Sequence, residues 1–381
     1  MGRRVEDVRM KLTLQVQLLP DAEQVAKLEA TMRAFNAAAD WLAGEAFALH
    51  SANKIALQQT HYATLRERFG LSSQMAVRCI AQTCEAYKRD KDVRPHFKPF
   101  ASIPYDERLM SFKGIDRVSL LTTEGRIVMP FVMGSYQRER FTYAKGQCDL
   151  VRRSDGLWFL LLTIDLPENT PLPTSDFIGV DLGVVNIATT SDGSVQSGDG
   201  IEACRVRYSE HRRALQSKAS ELRKEKKRPL SIRRVLRRIS KKEARFRADT
   251  NHCISKKIVV DAKDTNRGVA LEELTHIRER TRFRRSQRAR MSGWSFAQLR
   301  TFIAYKAKLL GVILKIVDPR NTSRECAECA YISKANRTSQ AAFLCQECGH
   351  ADNADRNAAR NIRQRAIVNM PIVSEMLQRA A

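Results

Sequence analysis

Two pairs of cysteines near the carboxyl end constrain the fold more than any other feature of this sequence. Cys326 and Cys329 form one Cys-x-x-Cys pair, and Cys345 and Cys348 form a second after fifteen intervening residues. Each pair predicts a turn whose two thiolates point at one ion, and four thiolates satisfy tetrahedral zinc. Because protein atoms then fill every coordination position, the spacing predicts a structural zinc site and not a catalytic one.

The cysteine count and the charge indicate the compartment and the kind of partner. Nine cysteines, four of them in this cluster, suit a metal site in a reducing compartment better than a disulfide framework. A formal net charge of +24 on 381 residues favours nucleic acid or an anionic membrane as partner. The chain has no run of 18 apolar residues, and Met1–Lys11 lacks the apolar core of a signal peptide. We therefore expect a cytoplasmic protein that binds nucleic acid and contacts no membrane.

Hydrophobic periodicity predicts helices and then short strands in the first half of the chain. Alternation over Val8–Leu18 predicts a half-buried strand, and Asp21 is a candidate cap for the helix after it. Helical spacing continues through segments such as Ser73–Tyr87 and predicts a small bundle. Between 93 and 166, short β-rich runs separated by turns such as 154–156 predict a barrel that the first strand joins.

Two segments of the second half are strongly basic. Arg205–Arg247 holds 18 Lys or Arg and 4 Glu, a net charge of 18 − 4 = +14, and Pro229 is predicted to divide it into two helices that form a hairpin. Arg278–Arg290 holds seven arginines and one glutamate. Solvated helix faces normally mix both signs, so this imbalance favours contact with phosphates. The candidate nucleic-acid-binding residues are Arg233, Arg234, Arg237, Arg238, Arg284, Arg285 and Arg288.

One carboxylate, Asp181, interrupts an apolar run that is predicted to be a strand. Gly179 and Gly183 flank it, and glycines let another backbone or a phosphate approach closely. A lone buried Asp is costly unless it is paired or binds a metal. Asp181 therefore either caps a turn at the strand end or binds a metal on the first strand of a ribonuclease-H-like sheet. The second interpretation requires two more carboxylates.

Two later segments supply candidates for those carboxylates. Glu272 and Glu273 end an apolar strand, and only one of them can join Asp181 because neighbouring side chains point to opposite faces. Asp352 and Asp355 are three apart at the start of a predicted helix and could both face inward. Asp352 is also a candidate cap that leaves Asp355 in the first turn, and helix capping by either is the alternative interpretation. Three carboxylates can hold two Mg²⁺ ions that activate a water and stabilise the leaving oxygen in phosphodiester hydrolysis. Spacing alone leaves the choice within each pair open.

With these motifs in place, the sequence resembles TnpB, the family of RNA-guided nucleases of insertion sequences and apparent ancestor of type V CRISPR effectors. The resemblance covers nearly the whole chain and is most specific in the second half. The matching segments are G-V-D-L-G at 179–183, L-E-E-L at 271–274, T-S-R-E-C-A-E-C at 322–329, C-Q-E-C-G-H at 345–350 and D-R-N-A-A-R-N-I at 355–362, with S-F-K-G at 111–114 and G-R-I at 125–127 upstream.

The resemblance implies an α+β multidomain fold. A wedge-like β-barrel carries an inserted helical recognition bundle, and an α/β nuclease domain of RuvC type, which is ribonuclease-H-like, follows with an inserted zinc ribbon. The implied boundaries are 1–20 and 93–168 for the barrel, 21–92 for the helical domain, 174–321 and 351–370 for the nuclease domain, 322–350 for the zinc ribbon and 371–381 for a tail.

By the same match, Asp181, Glu272 and Asp355 correspond to the catalytic acids that hold two Mg²⁺ ions. The family register selects Glu272 over Glu273, and the four cysteines correspond to the ligands of structural Zn²⁺. One departure is Ala330, where the family usually has glycine after the first cysteine pair. The resemblance therefore predicts an altered turn at this position without loss of zinc.

The implied function is that of an RNA-guided DNA endonuclease of an insertion sequence. It cuts target DNA beside a short adjacent motif by two-metal hydrolysis, and base pairing reads the target. The implied partners are a guide RNA from the transposon end, double-stranded target DNA and the displaced single strand, bound by a monomer that acts at the nucleoid in a prokaryotic cytoplasm. A nuclease-inactive RNA-guided repressor is the alternative, and retention of all three acids argues against it. A zinc-ribbon binding module explains the charge and cysteines but not the acids.

Overall fold

The structure, a computed structural model, describes residues 9–274 and 296–368. The chain divides after Pro167 into two units, Met1–Pro167 and Glu168–Ala381. The predicted tail, the second basic segment and with it Arg284, Arg285 and Arg288 lie outside the described residues. Within the described ranges, every helix is too short or too polar to cross a membrane.

A seven-stranded antiparallel, barrel-like sheet forms the centre of the first unit. Its spatial order is β2-β6-β7-β1-β5-β4-β3, so the first strand joins the sheet, as the sequence predicts, and lies in its middle. Leu14, Val16 and Leu18 alternate with exposed residues and are buried, which confirms the predicted pleat. The strands are β1 (Arg9–Leu18), β2 (Ile103–Tyr105), β3 (Met110–Lys113), β4 (Arg117–Thr122), β5 (Gly125–Val132), β6 (Ala144–Arg152) and β7 (Trp158–Pro167).

Three long helices follow the first strand before the rest of the sheet. Asp21 caps the first of them, since its Oδ1 accepts from the Gln24 backbone N–H at 2.8 Å and Gln24 Oε1 accepts from the Asp21 N–H. The third helix has the bounds that periodicity predicts, and its Met75 and Cys79 are buried. The helices of this unit are α1 (Ala22–Ala48), α2 (Lys54–Phe69), α3 (Ser73–Tyr87) and the short α4 (Ser135–Arg140).

The second unit contains a five-stranded mixed sheet in the order β10-β9-β8-β11-β12. Strands β8, β11 and β12 run parallel to one another, while β9 and β10 continue from β8 as an antiparallel meander. Together with the helices this makes the unit mixed α/β. The strands are β8 (Phe177–Asp181), β9 (Asn186–Thr190), β10 (Val195–Ser197), β11 (Gly268–Glu272) and β12 (Leu314–Val317).

Helices cover both faces of this sheet. Ile258 and Ile303 pack with Leu271 on one face, whereas Ile362 packs with Ala270 on the other, as strand alternation requires. The helices are α5 (Asp199–Lys224), α6 (Leu230–Ile239), α7 (Lys242–Asp264), α8 (Phe296–Leu310) and α9 (Ala354–Val368). The ribbon, defined here as residues 322–350, precedes α9 and contains β13 (Ala342–Leu344), which pairs antiparallel with β14 (Ala351–Asn353).

The prediction of two helices over Arg205–Arg247 is wrong, because the segment contributes to three. Pro229 does precede α6, but the chain breaks again at Lys241, whose φ of 64° is left-handed. The residues after it begin α7, whose Ile254 and Ile258 belong to the core of the sheet. Apolar residues beyond the charged block therefore set this boundary, and the charge pattern carries no sign of it.

Candidate active site

Two of the predicted acids end adjacent parallel strands. Asp181 is the last residue of β8 and Glu272 is the last residue of β11. The register pairs Val180 with Leu271, the residues immediately before them. Because the carboxyl ends of parallel strands meet at one edge of a sheet, both half-buried carboxylates lie at the same edge.

The third acid reaches this edge because α9 packs unusually close to β8. A Cβ on Gly179 would lie 2.0 Å from the carbonyl oxygen of Ala359 and 2.6 Å from the amide nitrogen of Arg363. Only glycine allows that approach, and the sequence expectation that Gly179 admits another backbone is confirmed. Arg363 fixes the helix further by donating to both oxygens of Asp176 at 2.8 and 2.9 Å.

Asp355 lies in the first turn of α9, where two side chains contact its carboxylate. Asn186 at the start of β9 donates through Nδ2 to its Oδ2 at 2.9 Å. The guanidinium of Arg337, in the ribbon, lies 3.6 Å from its Oδ1. Sequence reasoning missed both partners, although Asn186 stands only five residues after Asp181.

Asp352 has a different role from the helix cap considered for it. The cap is Asn353, whose Oδ1 accepts from the backbone N–H groups of Asp355 and Arg356 at 3.0 and 3.2 Å. Asp352 is a strand residue with a side chain only 1% exposed, and its Oδ1 lies 2.6 Å from Nη2 of Arg356. It is therefore the buried half of an ion pair, and capping by Asp352 is wrong because Asn353 supplies the oxygen.

The acids crowd one another electrostatically. Burial is the largest cause that raises the pKa of Asp181 to about 8, and the negative charges of Glu272 and Asp355 add to it. Burial also raises the pKa of Glu272, against a hydrogen bond from Thr322 that lowers it. Such a cluster of negatively charged oxygen ligands, which repel one another, favours the binding of a divalent cation.

Glu273 points away from this cluster. Its carboxylate accepts from the guanidinium of Arg300 on α8, with an Nη2–Oε2 distance of 2.9 Å. Glu272 instead accepts from the hydroxyl of Thr322. The two neighbours thus have different partners on different elements, and the geometry favours Glu272 as the partner of Asp181.

The four cysteines form the tightest ligand cluster among residues 9–274 and 296–368. Their sulfur atoms all lie within 4.8 Å of one another, with Sγ–Sγ distances of 3.7 Å for Cys326–Cys348 and 3.5 Å for Cys329–Cys345. Tetrahedral zinc with bonds of about 2.3 Å separates its sulfurs by about 3.8 Å, so the cluster matches the size of this ion. The three acids are spaced more widely than this limit.

Both cysteine pairs are followed by a residue in the left-handed conformation. Gly349 has φ of 73° and Ala330 has φ of 61°. The predicted alteration of the turn at Ala330 is wrong, because Ala330 adopts the same left-handed conformation as the glycine, at the steric cost that a Cβ adds. In the second pair, burial opposes ionisation of Cys345, but hydrogen bonds from the backbone of Cys348 and Glu347 lower its pKa to about 7. In the first pair, burial raises the pKa of Cys326. A backbone hydrogen bond from Tyr331 lowers the pKa of Cys329, but burial and the neighbouring thiols outweigh it and raise that pKa to about 12. The turns therefore favour a thiolate at Cys345 but not throughout the cluster.

The predicted basic residues that the structure describes lie on α6. Arg233, Arg234, Arg237 and Arg238 are all exposed, while Ile239 on the other face is buried. Among the described residues, no carboxylate lies within ion-pair distance of these four guanidiniums. The helix therefore presents an uncompensated positive face.

Comparison with known proteins agrees with this fold and these motifs. Residues 161–275 match the OrfB_IS605 family, described as "Probable transposase". Residues 296–362 match the "Cas12f1-like, TNB domain" family. A cryo-EM structure of a Cas12f1–sgRNA–target DNA complex shares the fold with a TM-score of 0.59 at 15% identity, covering 93% of this chain and 99% of that chain. The two matched segments thus resemble parts of IS605 transposon proteins and of Cas12f1-like proteins.

Curated relatives give the family more closely. A CRISPR-associated endodeoxyribonuclease Cas12f1 of Sulfoacidibacillus thermotolerans is 31% identical over 58% of this chain and 53% of its own length. A TnpB-like protein of Methanocaldococcus jannaschii is 25% identical over 67% of this chain and 92% of its own. The resemblance to TnpB is thereby confirmed. The chain spans about half the length of the Cas12f1 relatives that it matches.

Proposed function

We propose that this chain is an RNA-guided DNA endonuclease of an insertion sequence, with Asp181, Glu272 and Asp355 as its catalytic acids. One observation carries the proposal: Asp181 and Glu272 end adjacent parallel strands, and the close packing of α9 on β8 brings Asp355 to the same edge. Burial, with the charges of the other two acids added, raises the pKa of Asp181 to about 8. The names of the relatives, an endodeoxyribonuclease and a TnpB-like protein, support the same chemistry. The order of the five-stranded sheet supports a RuvC nuclease domain of ribonuclease-H type.

The donor set fits a pair of Mg²⁺ ions. All three side chains offer the hard oxygen ligands that Mg²⁺ prefers, and three carboxylates suffice to hold two such ions. When bound, such a pair activates a water and stabilises the leaving oxygen of a phosphodiester. Asp181, on whose pKa the charges of both other acids act, would hold the ions together with Glu272 and Asp355. Asn186 orients Asp355, and Arg337 partly balances the negative charge.

The cysteine cluster supports structural zinc at Cys326, Cys329, Cys345 and Cys348. Four sulfur ligands leave no position for substrate, so the role of zinc is to fold the ribbon. The buried Phe343 packs with Cys326 and Cys345 in a core too small to hold the segment by itself. The ribbon lies beside the acids through Arg337, which makes its folding relevant to the chemistry.

The basic face of α6 supports contact with nucleic acid. We assign it to the guide RNA, which would come from the transposon end and pair with double-stranded target DNA, displacing one strand. Each neutralised phosphate contributes about 0.7 to 0.9 to the slope of log K against log salt. Replacement of Arg233, Arg234, Arg237 and Arg238 by glutamine should therefore flatten the slope for guide RNA by about 3. An unchanged slope would contradict this assignment.

The direct test is cleavage by the purified ribonucleoprotein. Wild type with its copurified RNA should cut matching DNA in Mg²⁺ and lose activity in chelator. Asp181→Ala should abolish cutting while binding to the target is retained, because pairing does not require the acids. Undiminished cutting by Asp181→Ala would refute the assigned site. Binding without any cutting by wild type would instead favour the repressor.

A further inference from the structure

We propose that Thr322 is a positioning residue for Glu272, and that the ribbon acts on the acid cluster through it. The inference rests on the proposed function, since it assigns Glu272 to the metal site. It goes further by joining two sites that otherwise serve separate purposes. The cysteine cluster and the acids would form one coupled unit, in which the state of one changes the ion affinity of the other.

The contact at the acid end is a buried hydroxyl. Thr322 is 3% exposed, and its Oγ1 donates to Oε1 of Glu272. The same hydroxyl lies 3.1 Å from the carbonyl oxygen of Pro319, but its single proton favours the charged acceptor. A buried hydrogen bond of this kind fixes the orientation of the carboxylate that would ligate an ion.

The contacts that hold Thr322 come from α9, the helix that carries Asp355. Asn361 is 4% exposed and donates through Nδ2 to the carbonyl oxygens of Thr322 at 2.8 Å and Glu325 at 2.7 Å. Asn357 is fully buried and donates to the carbonyl of Glu325 at 2.8 Å. Two side chains of one helix thus hold the segment of the chain that enters the ribbon.

The same clamp reaches the cysteine cluster. Oδ1 of Asn357 accepts from the backbone N–H of Ala327 at 3.0 Å, and Ala327 lies between Cys326 and Cys329. A continuous set of hydrogen bonds therefore joins the first cysteine turn to Thr322 and from there to Glu272. The approach of Arg337 to Asp355 is a second contact from the ribbon to the acids. Such coupling must be reciprocal, so ion binding at either site should strengthen binding at the other.

The test measures divalent-ion affinity and not activity. Mn²⁺ binding to the zinc-loaded full chain is followed by calorimetry for wild type, Thr322→Val and Thr322→Ser. Valine keeps the shape and removes the hydroxyl, so affinity should fall roughly tenfold, whereas serine should retain it. Thr338→Val is the matched control, because Thr338 is an exposed ribbon threonine that donates only to the carbonyl of Ala342 at 3.3 Å.

A double-mutant cycle tests the route through the ribbon. Cys345→Ser alone should weaken Mn²⁺ binding severalfold, and Thr322→Val should add little in that background, because its support is already lost. Simple addition of the two effects on Mn²⁺ affinity would overturn the route through the ribbon.

A further variant, Asp181→Asn, distinguishes failure of the proposed catalytic site from failure of the positioning role of Thr322. If Asp181→Asn binds Mn²⁺ as wild type does, the proposed catalytic site is wrong. If Asp181→Asn loses binding while Thr322→Val keeps wild-type affinity, only the positioning role is overturned.

Discussion

The cysteine cluster and the acid cluster are built in opposite ways. The four cysteines all lie between Cys326 and Cys348, and two tight turns bring their sulfurs within 4.8 Å. The three acids are spread from Asp181 to Asp355 and meet only because two strands are parallel neighbours and one helix packs closely. Local geometry thus forms the first site, whereas tertiary structure forms the second. Changes to distant packing should harm the acids more than the cysteines.

The two clusters also differ in how readily their side chains take the charged form that binds an ion. Backbone donors lower the pKa of Cys345 to about 7, whereas burial raises the pKa of Cys326, so the four cysteines differ in how readily they ionise. Burial and neighbouring charges raise the pKa of Asp181 to about 8, so the acid site resists its charged form. A bound cation relieves that resistance, so divalent ions should stabilise the acid site.

The largest expected effect is on DNA cleavage, and it distinguishes Glu272, the last residue of β11, from its neighbour Glu273. Glu272→Gln and Asp355→Asn should each lower DNA cleavage by several orders of magnitude, because amides replace charged ligands without a change in shape. Glu273→Gln weakens the ion pair with Arg300, which lies away from the acid cluster, and should cut within a few-fold of wild type. Single-turnover cleavage of target DNA measures all three. Inactive Glu273→Gln with active Glu272→Gln would reverse the assigned strand register.

The sequence predicts the cysteine site well because all of its determinants are local. The acids are harder, since alternation leaves Glu272 and Glu273 equivalent until the ion pair of Glu273 with Arg300 appears in the structure. Asp352 was a poor candidate for a reason that spacing hides: its neighbour Asn353 caps the helix. Thr322 and Arg337 could not be found from sequence, because each contacts an acid that is far away in the chain.

An intermediate effect concerns stability without metal. The raised pKa of Asp181 contributes stability that is complete below its ordinary value of 3.8 and is lost as pH rises through about 8. In chelator at pH 9, Asp181→Asn should therefore be more stable than wild type, on the order of 2 kcal/mol. That corresponds to roughly 5 °C in the thermal transition. The gain should vanish at pH 4.

Saturating Mg²⁺ should reverse this order, because only the wild type gains from binding the ions. Glu273→Gln is the control, since it removes a charge from the same strand end without relieving the cluster. A variant Asp181→Asn that is less stable than wild type in chelator at pH 9 would show that the acids do not repel one another in the folded protein.

The smallest expected effect is confined to the two cysteine turns. Ala330→Gly should stabilise the ribbon by about 0.5–1 kcal/mol, because Ala330 holds a left-handed conformation that glycine adopts without strain. Gly349→Ala should destabilise the ribbon by about 1 kcal/mol, because alanine is strained in the left-handed conformation. The added Cβ would meet no atom within 4 Å, so the backbone conformation alone sets this cost. Resistance of bound zinc to a chelator measures both. Ala330→Gly should raise this resistance and Gly349→Ala should lower it. A change in the same direction for both variants would mean that backbone strain does not govern the turns.

Counting the divalent ions bound by the zinc-loaded protein tests most directly whether Asp181, Glu272 and Asp355 form one metal site. Mn²⁺ titration followed by electron paramagnetic resonance gives the number of ions for wild type, Asp181→Asn and Glu273→Gln. Two ions are expected for wild type and for Glu273→Gln, and their binding should be weakened or lost in Asp181→Asn, because Asp181 would be one of the three acids that hold them. Two tightly bound ions in Asp181→Asn would contradict that assignment and the nuclease centre built on it.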